Sequence, residues 1–106
     1  MRIVSGKYKR RIITPPKNLP VRPTTDMAKE SLFNILNNYI DFSGQNVLDL
    51  FSGTGNISYE FISRGAALVT SVDKDFGCIK FIKETAAKLS MDNLKPVRQD
   101  VFRFLN

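Results

Sequence analysis

Hydrophobic and polar residues follow two alternating patterns along most of the chain. Apolar residues form short continuous runs at residues 46–50, 68–73 and 94–99, which predict three buried strands. Between these runs, apolar residues recur at intervals of three and four over residues 56–64 and 76–89, which predicts two helices. The order strand, helix, strand, helix, strand predicts a parallel sheet with right-handed crossovers. The pattern is that of an incomplete half of a doubly wound α/β sheet.

Two further segments precede a helix at the amino-terminal end. Residues 2–5 and 10–14 are rich in β-branched side chains and flank a glycine, so they predict a basic β-hairpin. Four prolines within residues 15–23 predict an extended linker, because each proline fixes its own φ and disfavours helix in the residue before it. The sequence therefore divides into a hairpin with its linker, residues 1–23, and an α/β unit, residues 24–106.

A helix is predicted from about residue 24 to residue 38. Thr24, Thr25 or Asp26 can cap its first turn by accepting a backbone N–H bond. Its apolar residues recur at helical spacing, which predicts that they face the core: Ala28, Leu32, Ile35, Leu36 and Tyr39. We also expect Cys78 to pack in the core, together with Phe76, Phe81, Phe102 and Phe104.

The net charge of +6 is concentrated at the amino-terminal end. Residues 1–23 contain seven basic residues and no acid, whereas residues 24–106 contain nine basic and ten acidic residues. Lysine and arginine side chains gain affinity for nucleic acids by releasing counterions from phosphates. Because the aromatic Tyr8 lies among these bases, the segment favours a nucleic-acid partner over a merely solvated tail.

The rest of the composition disfavours several classes of function. A length of 106 residues suffices for about one small domain. A single cysteine and no histidine exclude an intramolecular disulfide and disfavour zinc or Ser-His catalysis. No apolar run approaches the roughly 18 residues of a membrane-spanning helix, and the first residues lack the apolar region of a signal peptide. We therefore expect a cytoplasmic protein with neither a metal nor a membrane partner.

The run VLDLFSGTGN indicates a nucleoside-binding loop at the end of the first strand. Gly53 and Gly55 allow positive φ angles and close approach of a ligand to the backbone at a helix N-terminus. Asp73 ends the second strand, where a carboxylate can accept both hydroxyls of a ribose. A dinucleotide and S-adenosylmethionine both suit this geometry. Asp49 favours S-adenosylmethionine, because its carboxylate would repel a pyrophosphate but attract the ammonium of an amino acid.

Three motifs in this part of the chain resemble those of a known class of enzyme. The runs DLFSGTG, VDKD and RQDVFRF are similar to the first three cofactor motifs of class I S-adenosylmethionine-dependent methyltransferases. With the basic start, the run R-P-T and the run KESLFNIL, the chain resembles the RsmD family of bacterial 16S ribosomal RNA guanine-N2 methyltransferases over essentially all 106 residues. The implied fold is the Rossmann-like class I methyltransferase fold, with a basic β-hairpin before it.

The resemblance implies roles for individual residues. Asp49 and the two loop glycines would line the methionine end of the cofactor, Asp73 would hold the ribose, and Asp100 would meet the adenine amino group. The full implied cofactor set is Asp49, Phe51, Gly53, Gly55, Asp73, Lys74, Asp100 and Val101. The implied RNA-binding set is Arg2, Lys7, Tyr8, Lys9, Arg10, Arg11, Arg22 and Thr24. From the residues alone, Asp100 could instead be only a helix cap, and the two roles are compatible.

One family motif has no counterpart in residues 1–106. Amino-group methyltransferases of this kind carry a D/N-P-P-Y/F run after the fourth strand, which aligns the acceptor amine, and the Pro15-Pro16 pair does not match it. We therefore expect this chain to hold the cofactor half of the site, to end before that element, and to have little or no transferase activity alone.

Further expectations follow from the resemblance. The partner would be 16S ribosomal RNA or the assembled small ribosomal subunit, and the full-length protein would be a monomer. Two alternatives remain, namely an adenine- or protein-directed amino-group methyltransferase and a non-catalytic nucleic-acid- or nucleotide-binding module.

Overall fold

A computed structural model describes residues 1–21 and 24–106. The described residues form seven elements, in the order α1 (Asp26–Leu36), β1 (Asn46–Leu50), α2 (Asn56–Ser63), β2 (Leu68–Asp73), α3 (Phe76–Lys88), β3 (Leu94–Arg98) and α4 (Val101–Leu105). The predicted succession of three strands and two intervening helices is confirmed. The predicted ends of those five elements lie within one residue of the observed ends.

The three strands form one parallel sheet in the order β1-β2-β3. Asp49 of β1 lies opposite Ser71 of β2, and Asp73 of β2 lies opposite Arg98 of β3, so the carboxyl ends of all three strands meet at one edge. Pro96 lies in β3, an edge strand of this sheet, which agrees with the prediction from its missing N–H. Right-handed crossovers place α2 and α3 on the same face of the sheet.

The core lies between this face of the sheet, α2 and α3. Its buried side chains include two from the first 14 residues, Ile3 and Ile13, which are only 1% and 6% exposed. The remaining members are Tyr59, Ile62, Ala66, Val69, Ile79, Ile82, Ala86, Met91 and Leu94. Leu48 projects from the opposite face of β1 and is 47% exposed, so the expectation that both faces of β1 are covered is not met within the described residues.

Residues 1–14, here called the N-terminal arm, form a short hairpin in which backbone hydrogen bonds join residues 1–3 to residues 10–13. A single antiparallel bridge joins Arg2 to Ile12. The predicted hairpin is therefore present, but its paired segments are shorter than the predicted residues 2–5 and 10–14. The pairing ends after Ile3, because the N–H groups of Val4 and Ser5 donate to the carboxylate of Glu60 on α2.

The predicted buried face of α1 is wrong. Leu32, Ile35 and Tyr39 are 41%, 59% and 81% exposed, whereas Lys29 and Phe33 are buried. The ring of Phe33 packs against two other rings, Phe42 at 5.5 Å and Phe61 at 4.8 Å between centroids. Lys29 is buried because residues distant in sequence provide partners for its charge. The predicted cap is confirmed at Thr25, whose side chain accepts a bond from the N–H of Ala28.

Candidate functional site

The loop between β1 and α2 has an unusual backbone. Phe51, Gly53 and Gly55 all have positive φ angles, of 58°, 55° and 90°. The loop is fixed by two backbone bonds, from the N–H of Ser52 to the carbonyl of Val72 and from the N–H of Gly55 to the carbonyl of Ser52, both 2.9 Å long. A positive φ at the non-glycine Phe51 is a local strain of the kind that clusters at ligand sites.

Asp73, at the carboxyl end of β2, ties two loops together. One carboxylate oxygen accepts a bond of 2.9 Å from the N–H of Gly53, and the other accepts a bond of 2.9 Å from the N–H of Asp75. Asp75 in turn caps α3 by accepting from the N–H of Cys78 at 2.8 Å. Each carboxylate oxygen can accept a second bond, so Asp73 still has capacity for ligand hydroxyls.

Asp49 is held by a chain of buried hydroxyl groups. The Ser58 hydroxyl lies 2.5 Å from a carboxylate oxygen of Asp49 and 2.6 Å from the Ser71 hydroxyl. Burial raises the pKa of Asp49, the charge of nearby Asp73 raises it further, and the bond from Ser58 partly opposes this shift. The carboxylate is therefore destabilised in the absence of a cation and is suited to receive one.

Two adjoining cavities open at this edge of the sheet and share Val21, Phe51 and Asp73. The larger has a volume of about 660 Å³ and is lined by Pro20, Val21, Phe51, Asp73, Lys74, Asp75, Phe76, Arg98, Asp100, Val101 and Phe102. The smaller, of about 290 Å³, is lined by Val21, Thr24, Asp49, Phe51, Ser52, Gly53, Thr54, Asn56, Ile57 and Asp73. Together they fall within the size range of small-molecule sites.

The larger cavity has aromatic walls. Phe51, Phe76 and Phe102 are 67%, 61% and 70% exposed, and the rings of Phe51 and Phe102 meet edge to face at 6.4 Å. The expectation that Phe76 and Phe102 belong to the core is therefore wrong. The guanidinium of Arg98 lies over the Phe76 ring at 5.5 Å. These groups provide flat apolar surfaces beside a carboxylate, an arrangement suited to a planar heterocycle attached to a sugar.

Seven of the eight residues in the implied cofactor set line these cavities. Gly55 is the exception, because it lies behind the loop against Tyr59, whose hydroxyl donates to the carbonyl of Thr54 at 2.7 Å. Asp100 lines the larger cavity and also caps α4, accepting from two backbone N–H groups at 3.0 and 3.3 Å. Sequence reasoning missed Val21, which belongs to no motif, and Arg98, which begins the run RQDVFRF but was given no role.

The implied RNA-binding residues lie in two places. Thr24 lines the smaller cavity, whereas Tyr8 is half-buried and packs against the core. The remaining members that the structure describes are exposed along the N-terminal arm: Arg2, Lys7, Lys9, Arg10 and Arg11. Arg22 lies outside the described residues.

The arm runs along α2 away from the cavities. Near its start, the carbonyl of Arg2 accepts from Lys29, which also bonds to Asn56, the first residue of α2. Residues 6–10, here called the arm tip, lie at the other end of the helix, where the N–H of Lys7 donates to the carbonyl of Ser63 at 2.8 Å. The basic arm tip and the cavities are thus separated by the length of α2.

Other reactive groups contribute little to this site. Burial and nearby Asp75 raise the pKa of Cys78 to about 12, so the thiol stays protonated and serves packing. In the described part of the chain, no group of three or more acidic, cysteine or histidine residues could hold a metal ion. Over the same residues, no helix combines the length and apolar character needed to cross a membrane.

The residues present fit a nucleoside-bearing ligand. The Ser52 hydroxyl oxygen is buried among the loop residues and has no hydrogen-bond partner in the described part of the chain, so it can bond to a ligand. The structure superposes on that of yhhF from Escherichia coli with a TM-score of 0.87 and 30% identity, covering 99% of this chain and 55% of the other. The fold is that of the class I S-adenosylmethionine-dependent methyltransferases, as predicted.

Sequence comparison narrows the class to a family. The profile of the family described as "Conserved hypothetical protein 95" matches residues 1–106. The chain belongs to this family, the RsmD family, and that prediction is confirmed. It is 38% identical to YlbH of Bacillus subtilis over 107 residues, covering 100% of this chain and 57% of that protein.

A second relative carries a functional name. The ribosomal RNA small subunit methyltransferase D of Escherichia coli (strain K12) is 32% identical over 105 residues, covering 99% of this chain and 52% of that protein. The chain thus spans about half the length of the curated relatives that it matches. S-adenosylmethionine, the cofactor expected from the sequence, is the methyl donor of this class of fold.

Proposed function

We propose that this chain is the cofactor-binding part of a ribosomal RNA methyltransferase that methylates the exocyclic N2 of a guanine in small-subunit RNA. The observation that carries the proposal is the position of Asp73. Its carboxylate borders both cavities and holds the glycine loop in place through the N–H of Gly53. An acid at the end of the second strand, beside a glycine loop at the first, is the arrangement that binds a ribose.

The two cavities match the two ends of S-adenosylmethionine. The larger cavity, with aromatic walls and Asp100, suits the adenine. The smaller cavity, with Asp49 and the Ser52 hydroxyl, which has no partner among the described residues, suits the amino-acid end, because a carboxylate can pair with its ammonium. Asp73 lies between them at the expected place of the ribose. None of the described residues that line the smaller cavity is basic, which agrees with a cofactor that carries no phosphate.

The chain contributes positioning rather than a covalent intermediate. When bound, S-adenosylmethionine supplies a methyl group on a positively charged sulfur for in-line transfer to an amine. Asp73 and Asp49 would fix the ribose and the ammonium, so that the methyl group is presented in one orientation. The D/N-P-P-Y/F run that aligns the acceptor amine in this family is not part of residues 1–106. We expect this chain alone to bind the cofactor with little or no methyl transfer, which a tritiated-methyl assay on ribosomal RNA checks.

Substitution of Asp73 tests the ribose contact. Asp73→Ala should weaken binding of S-adenosylhomocysteine by about 1 to 3 kcal/mol, because charge-assisted hydrogen bonds to two hydroxyls are lost. Isothermal titration calorimetry on the folded variant measures this loss. Asp73→Asn removes the charge but keeps an oxygen that can accept from the N–H of Gly53. Comparison of the two variants therefore distinguishes the effect of the lost charge from the effect of the lost contact with the loop.

The exposed Asp92 provides a matched control for this substitution. Asp92→Ala removes the same group at a position remote from both cavities, so the affinity for S-adenosylhomocysteine should stay as in the original chain. Equal affinities in the Asp73→Ala, Asp92→Ala and unsubstituted chains would remove Asp73 from the site.

Substitution of Asp49 should change stability and binding in opposite directions. Because the pKa of Asp49 is raised on folding, the folded chain binds more protons than the unfolded chain, and stability falls as pH rises from about 3.9 through the raised value. Asp49→Asn removes this cost and can still accept from Ser58, so the urea midpoint at pH 7 should rise. Affinity for S-adenosylmethionine should fall, because the ammonium loses its partner. A variant that loses stability and keeps its affinity would contradict this assignment.

The nature of the nucleic acid requires a separate experiment. The natural gene product that carries residues 1–106 should transfer tritiated methyl groups to small-subunit ribosomal RNA, either naked or in assembled subunits, and the label should map to guanine N2. DNA of the same sequence serves as the control. Labelling of DNA alone, or of an adenine, would overturn the proposed substrate, whereas the cofactor proposal would stand on the binding data.

A further inference from the structure

Glu60, on α2, is fully buried, and other groups of the chain engage both of its carboxylate oxygens. Oε1 accepts from the N–H of Val4 at 2.9 Å and lies 3.4 Å from Nζ of Lys29. Oε2 accepts from the N–H of Ser5 at 3.1 Å and from Nε of Arg64 at 2.8 Å. Because four donors satisfy this buried carboxylate, it has little capacity left to bind a ligand. Its contacts instead hold the backbone of the arm against α2.

Ser63, one turn further along α2, makes a second set of contacts with the arm. Its hydroxyl accepts from the N–H of Tyr8 at 2.9 Å and donates to the carbonyl of Ser5 at 2.5 Å, while its own carbonyl accepts from Lys7. Gly6 lies so close that a Cβ there would be 1.9 Å from the Ser63 carbonyl oxygen. The arm therefore lies backbone to backbone against the carboxyl end of α2.

These contacts fix the main chain of the arm tip and leave its charged side chains exposed, with the ammonium of Lys7 5.4 Å from the centre of the Tyr8 ring. Lys7, Lys9 and Arg10 are exposed, and no ion pair engages them within the described residues. A phosphate-binding surface whose backbone is already ordered loses less conformational entropy when it binds than a flexible tail does. We therefore expect that a chain whose arm is held by α2 binds RNA more tightly than a variant that lacks these contacts.

We propose that Glu60 and Ser63 are positioning residues for RNA, which act through the cations of the arm tip and do not touch RNA themselves. This inference rests on the proposed function, because it takes RNA as the ligand of the arm. In this proposal, Glu60 and Ser63 of α2 support RNA binding through the arm. The first residues of the same helix, Asn56 and Ile57, line the smaller cavity proposed for the cofactor.

The test is a double-mutant cycle on RNA affinity, with a labelled RNA hairpin from small-subunit ribosomal RNA and fluorescence anisotropy as the readout. Ser63→Ala should weaken binding by about 3- to 10-fold, since it removes two hydrogen bonds of the arm. The triple variant Lys7→Gln, Lys9→Gln, Arg10→Gln should weaken it further and lower the salt slope by about 2 to 3. Adding Ser63→Ala to the triple variant should cause no further loss, because the cations through which it acts are gone.

Controls separate this inference from the proposed function. Ser31→Ala, at an exposed position of α1, should leave RNA affinity unchanged, and Ser63→Ala should leave affinity for S-adenosylhomocysteine unchanged. If the unsubstituted chain binds S-adenosylhomocysteine but not the RNA hairpin, the RNA-binding part of the proposed function fails. If the unsubstituted chain binds RNA and Ser63→Ala does not change that affinity, the positioning role is refuted. The role is also refuted if Ser63→Ala weakens RNA binding by the same factor in the triple variant as in the unsubstituted chain.

Glu60→Gln extends the test where the variant remains folded. It keeps the shape of the side chain but removes the charge that holds Lys29 and the arm. Amide hydrogen exchange should become faster at Val4 and Ser5, and RNA affinity should fall together with that protection. Faster exchange at unchanged RNA affinity contradicts the inference.

Discussion

Replacement of Glu60 by leucine is expected to lower the free energy of unfolding by about 3 to 5 kcal/mol, the cost of leaving a buried charge without its partner. Lys29 is only 1% exposed and would keep just two neutral acceptors, the carbonyl of Arg2 and the amide oxygen of Asn56. The backbone N–H groups of Val4 and Ser5 would also lose their acceptor. Urea unfolding followed by circular dichroism measures the loss.

A second substitution separates the ion pair from the other contacts of Glu60. In the double variant Lys29→Met, Glu60→Leu the fully buried ammonium is removed and only Arg64, which is 12% exposed, loses its partner, so part of the lost stability should return. Recovery should remain incomplete, because the N–H groups of the arm stay without acceptors. If the double variant is no more stable than Glu60→Leu alone, the charge of Lys29 is not the source of the loss.

Gly55→Ala is expected to lower the free energy of unfolding by about 2 to 5 kcal/mol, from backbone strain and overpacking together. Gly55 has a φ of 90°, and an added Cβ would lie 2.7 Å from Cζ of Tyr59 and 3.1 Å from Cγ1 of Ile82. Tyr59 cannot retreat easily, since it is fully buried and bonded to Thr54. Urea unfolding measures this effect, and calorimetry measures affinity for S-adenosylhomocysteine.

Gly53 supplies the matched control in the same loop. It also has a positive φ, 55°, but an added Cβ would meet only Val21, at 3.8 Å. Gly53→Ala should therefore cost about 1 to 2 kcal/mol of strain without overpacking, while its Cβ lines the cofactor cavity and lowers affinity. Equal losses of stability at the two positions would show that contact with Tyr59 does not matter.

The sheet and its loop could be predicted because their signals are local. Apolar runs of strand length, helical spacing between them and a glycine loop followed by Asp73 all lie within short windows of sequence. The parallel order then follows from the handedness of crossovers. Most residues of the implied cofactor set line the two cavities for this reason, since strands in one parallel sheet bring their carboxyl ends together.

The extent of the hairpin in the arm and the buried face of α1 could not be predicted because both depend on distant partners. Lys29 is buried because Glu60, 31 positions later, supplies the opposite charge. The hairpin pairing stops after Ile3 because α2 supplies acceptors for the N–H groups of Val4, Ser5 and Tyr8. A charged residue within the apolar run of α2, Glu60 in NISYEFIS, was the one local signal that something polar packs there.

The aromatic walls of the larger cavity also could not be predicted from local sequence patterns. Phe76 and Phe102 have the spacing of core residues, yet both are exposed at the ends of elements that meet at the carboxyl edge of the sheet. Position at an element terminus, rather than periodicity, decides their exposure. Pro20 and Val21 reach the larger cavity from a segment without a motif of its own.

The length of α2 sets the distance between the cavities and the basic arm tip. The helix has eight residues, so its ends are about 12 Å apart at 1.5 Å per residue. With a strand phosphate about every 3.4 Å along a duplex, a nucleic acid that meets the cofactor cavity would meet the arm tip some three to four nucleotides away. Under the proposed function, a mononucleotide is therefore too short to contact both the cofactor cavities and the arm tip. Binding at both places requires the nucleotides around the target guanine as well as the base itself.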